Sequence, residues 1–170
     1  MDFNELVKTR YSVRKYANRP VEEDRLAVIL EAARLAPTAA NKQPFRLFVV
    51  QGETLIRAMA TAAGAYRWLA SAPIILVACG IREKAWKRGD GFSALETDVA
   101  TVMSHVMLQA ADLGLGTCWI ADFSPQLVRE ALSLDEDLIP LALAPLGYPA
   151  DQPSPKRRRP LSDLVERREE

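Results

Sequence analysis

The stretch that most limits what this chain can become is 93–113, SALETDVATVMSHVMLQAADL. Val99, Val102, Met103, Val106, Met107 and Ala110 recur at helical spacing, and most residues between them are small or apolar. A helix apolar for about four turns belongs inside a protein, with other elements on more than one side of it. Ser93 followed by Glu96 reads as a capping box at its start. Gly114 reads as the residue that ends it in a left-handed turn. The run 73–79, PIILVAC, is apolar without alternation, as in a strand covered on both faces, and 141–147 reads as a last core strand.

The other elements are shorter. Asp2 and Glu5 resemble a capping box for a helix ending near Thr9, with Phe3, Leu6 and Val7 on one face. A helix over 22–36 has three acids at its start, Leu26, Ile29, Leu30 and Ala33 at helical spacing, and Pro37 to stop it. Residues 45–50, FRLFVV, predict a strand and 53–63 a helix; 117–121 predicts a strand. Ser124 followed by Pro125 predicts a capped helix start. Between the strand at 73–79 and the long helix, 80–92 (GIREKAWKRGDGF) is polar, with two aromatics, and reads as a mobile excursion. Helices outnumber strands and separate them, which predicts an α+β or α/β layer arrangement in a single domain spanning 1–170.

Twenty-two basic and 22 acidic side chains cancel, which argues against a generally basic nucleic-acid binder. The cancellation hides a pattern. Residues 1–19 carry five bases and two acids, 156–170 six and four, and the 136 residues between them eleven and sixteen. Both ends are positive and the body is negative, so the ends are candidates to share a small anion. Cys79 and Cys118 lie in apolar surroundings with no CxxC, and read as reduced and buried. No apolar run is long enough to span a bilayer, and MDFNELVKTR lacks a signal-peptide core, so a soluble cytoplasmic protein is expected.

Four segments are candidates for binding. In Arg10-Tyr11-Ser12-Val13-Arg14, extended alternation puts both guanidiniums and the Ser12 hydroxyl on one side, an arrangement suited to phosphate. Lys156 and Arg158, alternate members of the run 156–159, are candidates to join them. Between Pro37 and Pro44, Thr38, Asn41 and Gln43 offer donors and acceptors for the edge of a planar heterocycle. Gly114 and Gly116 follow a helix and precede a strand, the reverse of a dinucleotide fingerprint; Gly116 is a candidate for close approach of backbone to a ligand. His105, the one histidine, sits on the apolar helix and reads as a buried, satisfied side chain. Asp98 and Asp112 form no acid/base pair, and neither a metal-ligand cluster nor a nucleophile motif is present. A reaction here would be carried by a cofactor.

Five segments, in order and spacing, are similar to the FMN-dependent nitroreductase family in its short form. They are RYSVR at 10–14, APTAANKQPF at 36–45, APIILVAC at 72–79, AADLGLGTCWIADF at 110–123 and LGYPADQPSPKRRRPLSDLV at 146–165. The resemblance implies an α+β fold, with a central mixed, mostly antiparallel sheet flanked by helices, and an intertwined homodimer with FMN at the subunit interface. By the family's pattern Arg10, Tyr11, Ser12, Arg14, Lys156 and Arg158 hold the phosphate and ribityl chain. Pro37, Thr38, Ala39, Asn41 and Gln43 meet the flavin from the other subunit. Gly116, Thr117, Ile120 and Ala121 lie along the ring. The chain departs from the pattern at Thr38 and Ala39, where serines are frequent, and at Phe45, where Trp is frequent. The implied activity is ping-pong transfer of reducing equivalents from NADH or NADPH to a nitroaromatic, quinone or similar acceptor, with no side-chain general acid assigned. Trp86 and Phe92 are candidates to stack on that acceptor. Alternatives are a flavin-binding sensor or storage protein without turnover, and same-fold enzymes acting on flavin or on halogenated aromatics.

Overall fold

The unalternating run at 73–79 is explained by what covers it. In the computed structural model of the chain, which describes residues 2–169, it belongs to a strand longer than expected. The sheet has four strands, ordered β1 (Phe45–Val50), β2 (Ile74–Ile81), β4 (Leu138–Gly147) and β3 (Gly116–Thr117). Every pairing among them is antiparallel. Among the described residues the one parallel contact is an isolated bridge from Ser12 to Thr117, so the sheet is mixed only at its β3 edge. All eight residues of β2 are buried. Ile74, Leu76 and Ala78 face one apolar cluster; Ile75, Val77, Cys79 and Ile81 face another. With both faces dry, alternation has nothing to distinguish.

The first cluster lies under α2 (Glu23–Leu35) and α4 (Leu95–Asp112), the second under α3 (Glu53–Ala62) and α5 (Pro125–Leu132). The result is three layers, helix on sheet on helix, completed by the short α1 (Phe3–Thr9) against α4. α4 is the most apolar helix, as its sequence demands: Val99, Val102, Met103, Val106 and Ala110 are buried, Met107 half-buried. It is not covered all round. His105, Leu108 and Gln109 line a recess of about 320 Å³ with Phe3 and Leu6. His105 is therefore half-buried rather than buried, its Nδ1 2.9 Å from the Thr101 carbonyl.

The structure shifts several boundaries. β2 takes in Gly80 and Ile81, and a Cβ at Gly80 would sit 2.9 Å from Leu95 and Leu141, so glycine lets α4 lie close there. β4 begins at Leu138, three residues before the expected start, because a bulge accommodates Pro140. Ala78 pairs with Ala142 and Cys79 with Pro140, leaving Leu141 as the extra residue. The bulge is also why Leu138 and Leu143, an odd number of positions apart, share one cluster. The strand expected at 117–121 shrinks to Gly116–Thr117 plus a bridge from Ile120 to Leu143.

Neither expected N-terminal capping box forms. The Asp2 side chain makes no capping bond, and Glu5 pairs with Lys8 at 3.0 Å. α4 starts one residue later than Ser93 would place it, with Ala94 at the cap and the Ser93 hydroxyl accepting from Leu95 N–H at 3.3 Å. Ser124 does cap α5, accepting from Leu127 N–H, and Gly114 takes the left-handed conformation, at φ 72°. Beyond Ala150 the chain runs over the surface with one short turn, Leu161–Asp163. Among the described residues no helix is long and apolar enough to cross a membrane.

Candidate functional site

The two basic ends of the chain meet. Residues 10–14 leave α1 and run beside β3: Val13 N–H donates to the Thr117 carbonyl at 3.0 Å. Val13 is buried while Arg14 stays exposed, as alternation requires. The close approach depends on Gly116, where a Cβ would meet Val13 Cγ2 at 2.4 Å. The glycine thus makes room for the chain's own basic segment. On the other side, Ala150 N–H donates to the Lys15 carbonyl and Ala17 N–H to the Tyr148 carbonyl, bringing the C-terminal segment alongside.

Asp151 completes this join, and nothing in the sequence marked it. One of its oxygens accepts Arg14 N–H at 2.8 Å and the other accepts the Tyr11 hydroxyl at 3.1 Å. The Tyr11 hydroxyl is held above its ordinary pKa by burial and by this carboxylate. The carboxylate is spent on a backbone amide and a phenol, so it forms no ion pair with the cationic heads around it.

Between the segments is a cleft of about 240 Å³ lined by Arg10, Tyr11, Ser12, Arg14, Asp151, Ser154, Lys156 and Arg158. Among the described residues no carboxylate forms an ion pair with Arg10, Arg14, Lys156 or Arg158. Partial burial and the neighbouring Arg10 and Arg158 charges lower the Lys156 pKa. Its ammonium donates to the Val7 carbonyl at 2.8 Å. A concave group of four cations without a bound counter-charge, with a hydroxyl among them, has the donor set of a phosphate site. The cleft therefore fits a phosphate group. A second cleft of about 200 Å³ continues from Arg10 and Tyr11 past Ala111, Leu115 and Thr117. A larger recess of about 610 Å³ lies elsewhere, but its Arg19 and Arg57 are already paired with Glu22 and Glu53.

The remaining candidates lie at the other end of α4. Ala39 N–H donates to Asp98 Oδ1, in the first turn of that helix, at 2.8 Å. Thr38 Oγ1 accepts from Gln43 N–H at 3.0 Å, and the Gln43 amide donates to the Asn41 carbonyl and side chain. Pro37, Asn41 and Gln43 are exposed, Thr38 and Ala39 half-buried. The excursion lies at the same end and is held together rather than loose. Arg88 and Asp90 form a bidentate pair, Lys87 bridges Ser93, and Ala94 N–H donates to the Trp86 carbonyl. Trp86 is half-buried and Phe92 exposed, with the Arg88 guanidinium 4.8 Å from the Phe92 ring centre. From Asp98 to Ala111 the helix rises about 20 Å, so one chain does not bring the 37–43 loop to the cationic cleft. Of the ring-facing candidates, Thr117 lines the second cleft, Ile120 is in the core and Ala121 is exposed.

Both cysteines are buried thiols, Cys79 pushed up to about 11 by burial and Cys118 raised for the same reason. Neither is poised as a nucleophile.

The chain matches the Nitroreductase family over residues 7–65 and 57–148. A crystal structure of a nitroreductase family protein from Clostridium difficile 630 is 40% identical, with a TM-score of 0.90 and 98% of each chain covered. The NADH dehydrogenase of Thermus thermophilus is 31% identical over 186 aligned positions, covering 92% of this chain and 91% of that one. The FMN reductase (NAD(P)H) of Bacillus subtilis is 28% identical over 176 positions, covering 92% of this chain and 71% of that one.

Proposed function

Because the chain belongs to the nitroreductase family, an oxidoreductase family, we propose that it binds FMN and passes reducing equivalents from NADH or NADPH to a small acceptor. The observation that carries the reading is the cleft in which Arg10, Arg14, Lys156 and Arg158 converge without an ion-pairing carboxylate. FMN, when bound, supplies two-electron chemistry between a nicotinamide and an acceptor such as a nitroaromatic or quinone. The protein's part is to hold and orient. The four cations and Ser12 grip the phosphate, and Tyr11 braces the cleft through Asp151. Thr117, which lines the adjoining cleft, and its neighbours from Gly116 to Ala121 would supply the backbone on the ring's side.

The homodimer is part of the reading. The 37–43 loop and the cationic cleft are complementary halves of one site, yet about 20 Å of helix separates them in a single chain. A second copy supplies the missing half. The partly covered face of α4 and the exposed Phe3 beside it support the same arrangement. Trp86 and Phe92, at the loop's end of the helix, then border the acceptor's place.

The test is direct. The purified dimer is expected to be yellow, or to become so with FMN, and to bleach when NADH or NADPH is added without air. A chain that takes up no FMN would overturn the reading. A yellow protein that no nicotinamide bleaches would move it to the sensor or storage alternative.

A further inference from the structure

The 38–43 loop is held in a shape its residues do not favour. Ala40, Asn41 and Gln43 have φ of 49°, 53° and 49°, where a Cβ crowds the following carbonyl. Such conformations persist only where the surroundings over-determine them, and they concentrate at functional loops. Most of the loop's bonds are internal: Asn41 N–H to the Thr38 carbonyl, Lys42 N–H to the Ala39 carbonyl, Gln43 N–H to Thr38 Oγ1. The side-chain bond that ties it to the layers beneath is the one from Ala39 N–H to Asp98 Oδ1.

Asp98 is costly to keep where it is. It is 4% exposed, on the face of α4 that also buries Leu95, Val99 and Val102. Its Oδ2 has no hydrogen-bond partner among the described residues. A buried carboxylate with one oxygen unmatched destabilises a core, and an apolar side chain of similar size would not. Two unfavourable features, the left-handed loop and the under-satisfied acid, thus meet at one hydrogen bond.

We propose that Asp98 is a positioning residue: its Oδ1 fixes the 38–43 loop in the left-handed shape that meets the cofactor of the partner subunit. The proposal rests on the reading that this loop meets FMN. Oδ1 is the working atom, so Asp98→Asn keeps the function. Asp98→Leu fills the same volume without an acceptor and loses it.

Two measurements separate this proposal from the one it rests on. Hydrogen exchange at amides 39–43 in the protein without FMN reads the loop alone; FMN affinity, by quenching of flavin fluorescence, reads its consequence. Asp98→Leu is expected to lose protection and affinity by about tenfold each, the scale of one hydrogen bond to a charged group, with its thermal midpoint held by the filled core. Asp98→Asn is expected to stay within about threefold of the parent in both. Unchanged protection in Asp98→Leu would overturn the proposal. Lost protection in a wild-type background that binds no FMN would overturn only the functional reading. If Asp98→Leu does not fold, Asp98→Ala takes its place. Failure of both to fold while Asp98→Asn folds would assign Asp98 to global stability and defeat the proposal.

Discussion

The two ends of α4 carry different kinds of machinery. At its C-terminal end the cleft is built from charge: four exposed or half-exposed cations on ordinary backbone, gathered by Asp151 and by a glycine that yields space. At its N-terminal end the loop is built from shape: three left-handed residues without glycine, internal bonds, and one buried acid beneath. Charge acts through solvent and is screened by salt, whereas strain and buried hydrogen bonds are not. The ends should therefore fail differently when altered.

The sharpest way to break this contrast is charge reversal. Arg14→Glu or Arg158→Glu is expected to weaken FMN binding about a hundredfold, by removing one charged contact and adding a repulsion. The loss should shrink as salt rises, while that of Asp98→Leu should not. Titrations at low and high ionic strength check both. If both arginine variants kept full affinity, the basic ends would be only solvated tails.

A smaller effect tests how the cleft is assembled. Gly116→Ala forces a Cβ into Val13 and is expected to cost about 1–3 kcal/mol of stability, with weaker FMN binding as the basic segment shifts. Val13→Ala in the same chain should recover part of both. Denaturant melts of the two single variants and the double variant measure the coupling.

The smallest effect is in pH. Burial, Arg10 and Arg158 lower the Lys156 pKa in the free protein, and a bound phosphate would favour the charged amine and raise it. The lysine's contribution to FMN affinity is then complete below its free-state pKa. It is lost as pH rises through the higher bound-state value. Affinity should fall on the alkaline side, and Lys156→Met should flatten that fall.

Much of this was legible in the chain, for local reasons. The 45–50 strand, the 22–36 and 53–63 helices, the Ser124 cap and the Gly114 turn depend on neighbours in sequence, and all appear within a residue or two of expectation. The features that resisted were non-local. Pro140 hides a strand extension that only a bulge against Cys79 permits. Ser93 is a cap residue by pattern, yet α4 begins one residue further on, and Asp2 stands at the cap of α1 without making a capping bond. Asp98 leaves only a faint trace in the sequence: one acid among Leu95, Val99 and Val102 on an apolar face. Asp151 left none, because its role exists only once residues 11, 14 and 151 are together.

The sequence by itself determined that an apolar helix and doubly covered strands must form a layered interior, and that the two ends are basic. Periodicity and side-chain charge are properties of the chain before it folds. Only the tertiary structure decided that those ends share one cleft, that Gly116 serves Val13, and that the polar loop and the cleft stand at opposite ends of a helix. Convergence of residues about 145 positions apart depends on the sheet register and on the crossing of segments 10–14 and 147–151, geometry that no local pattern records.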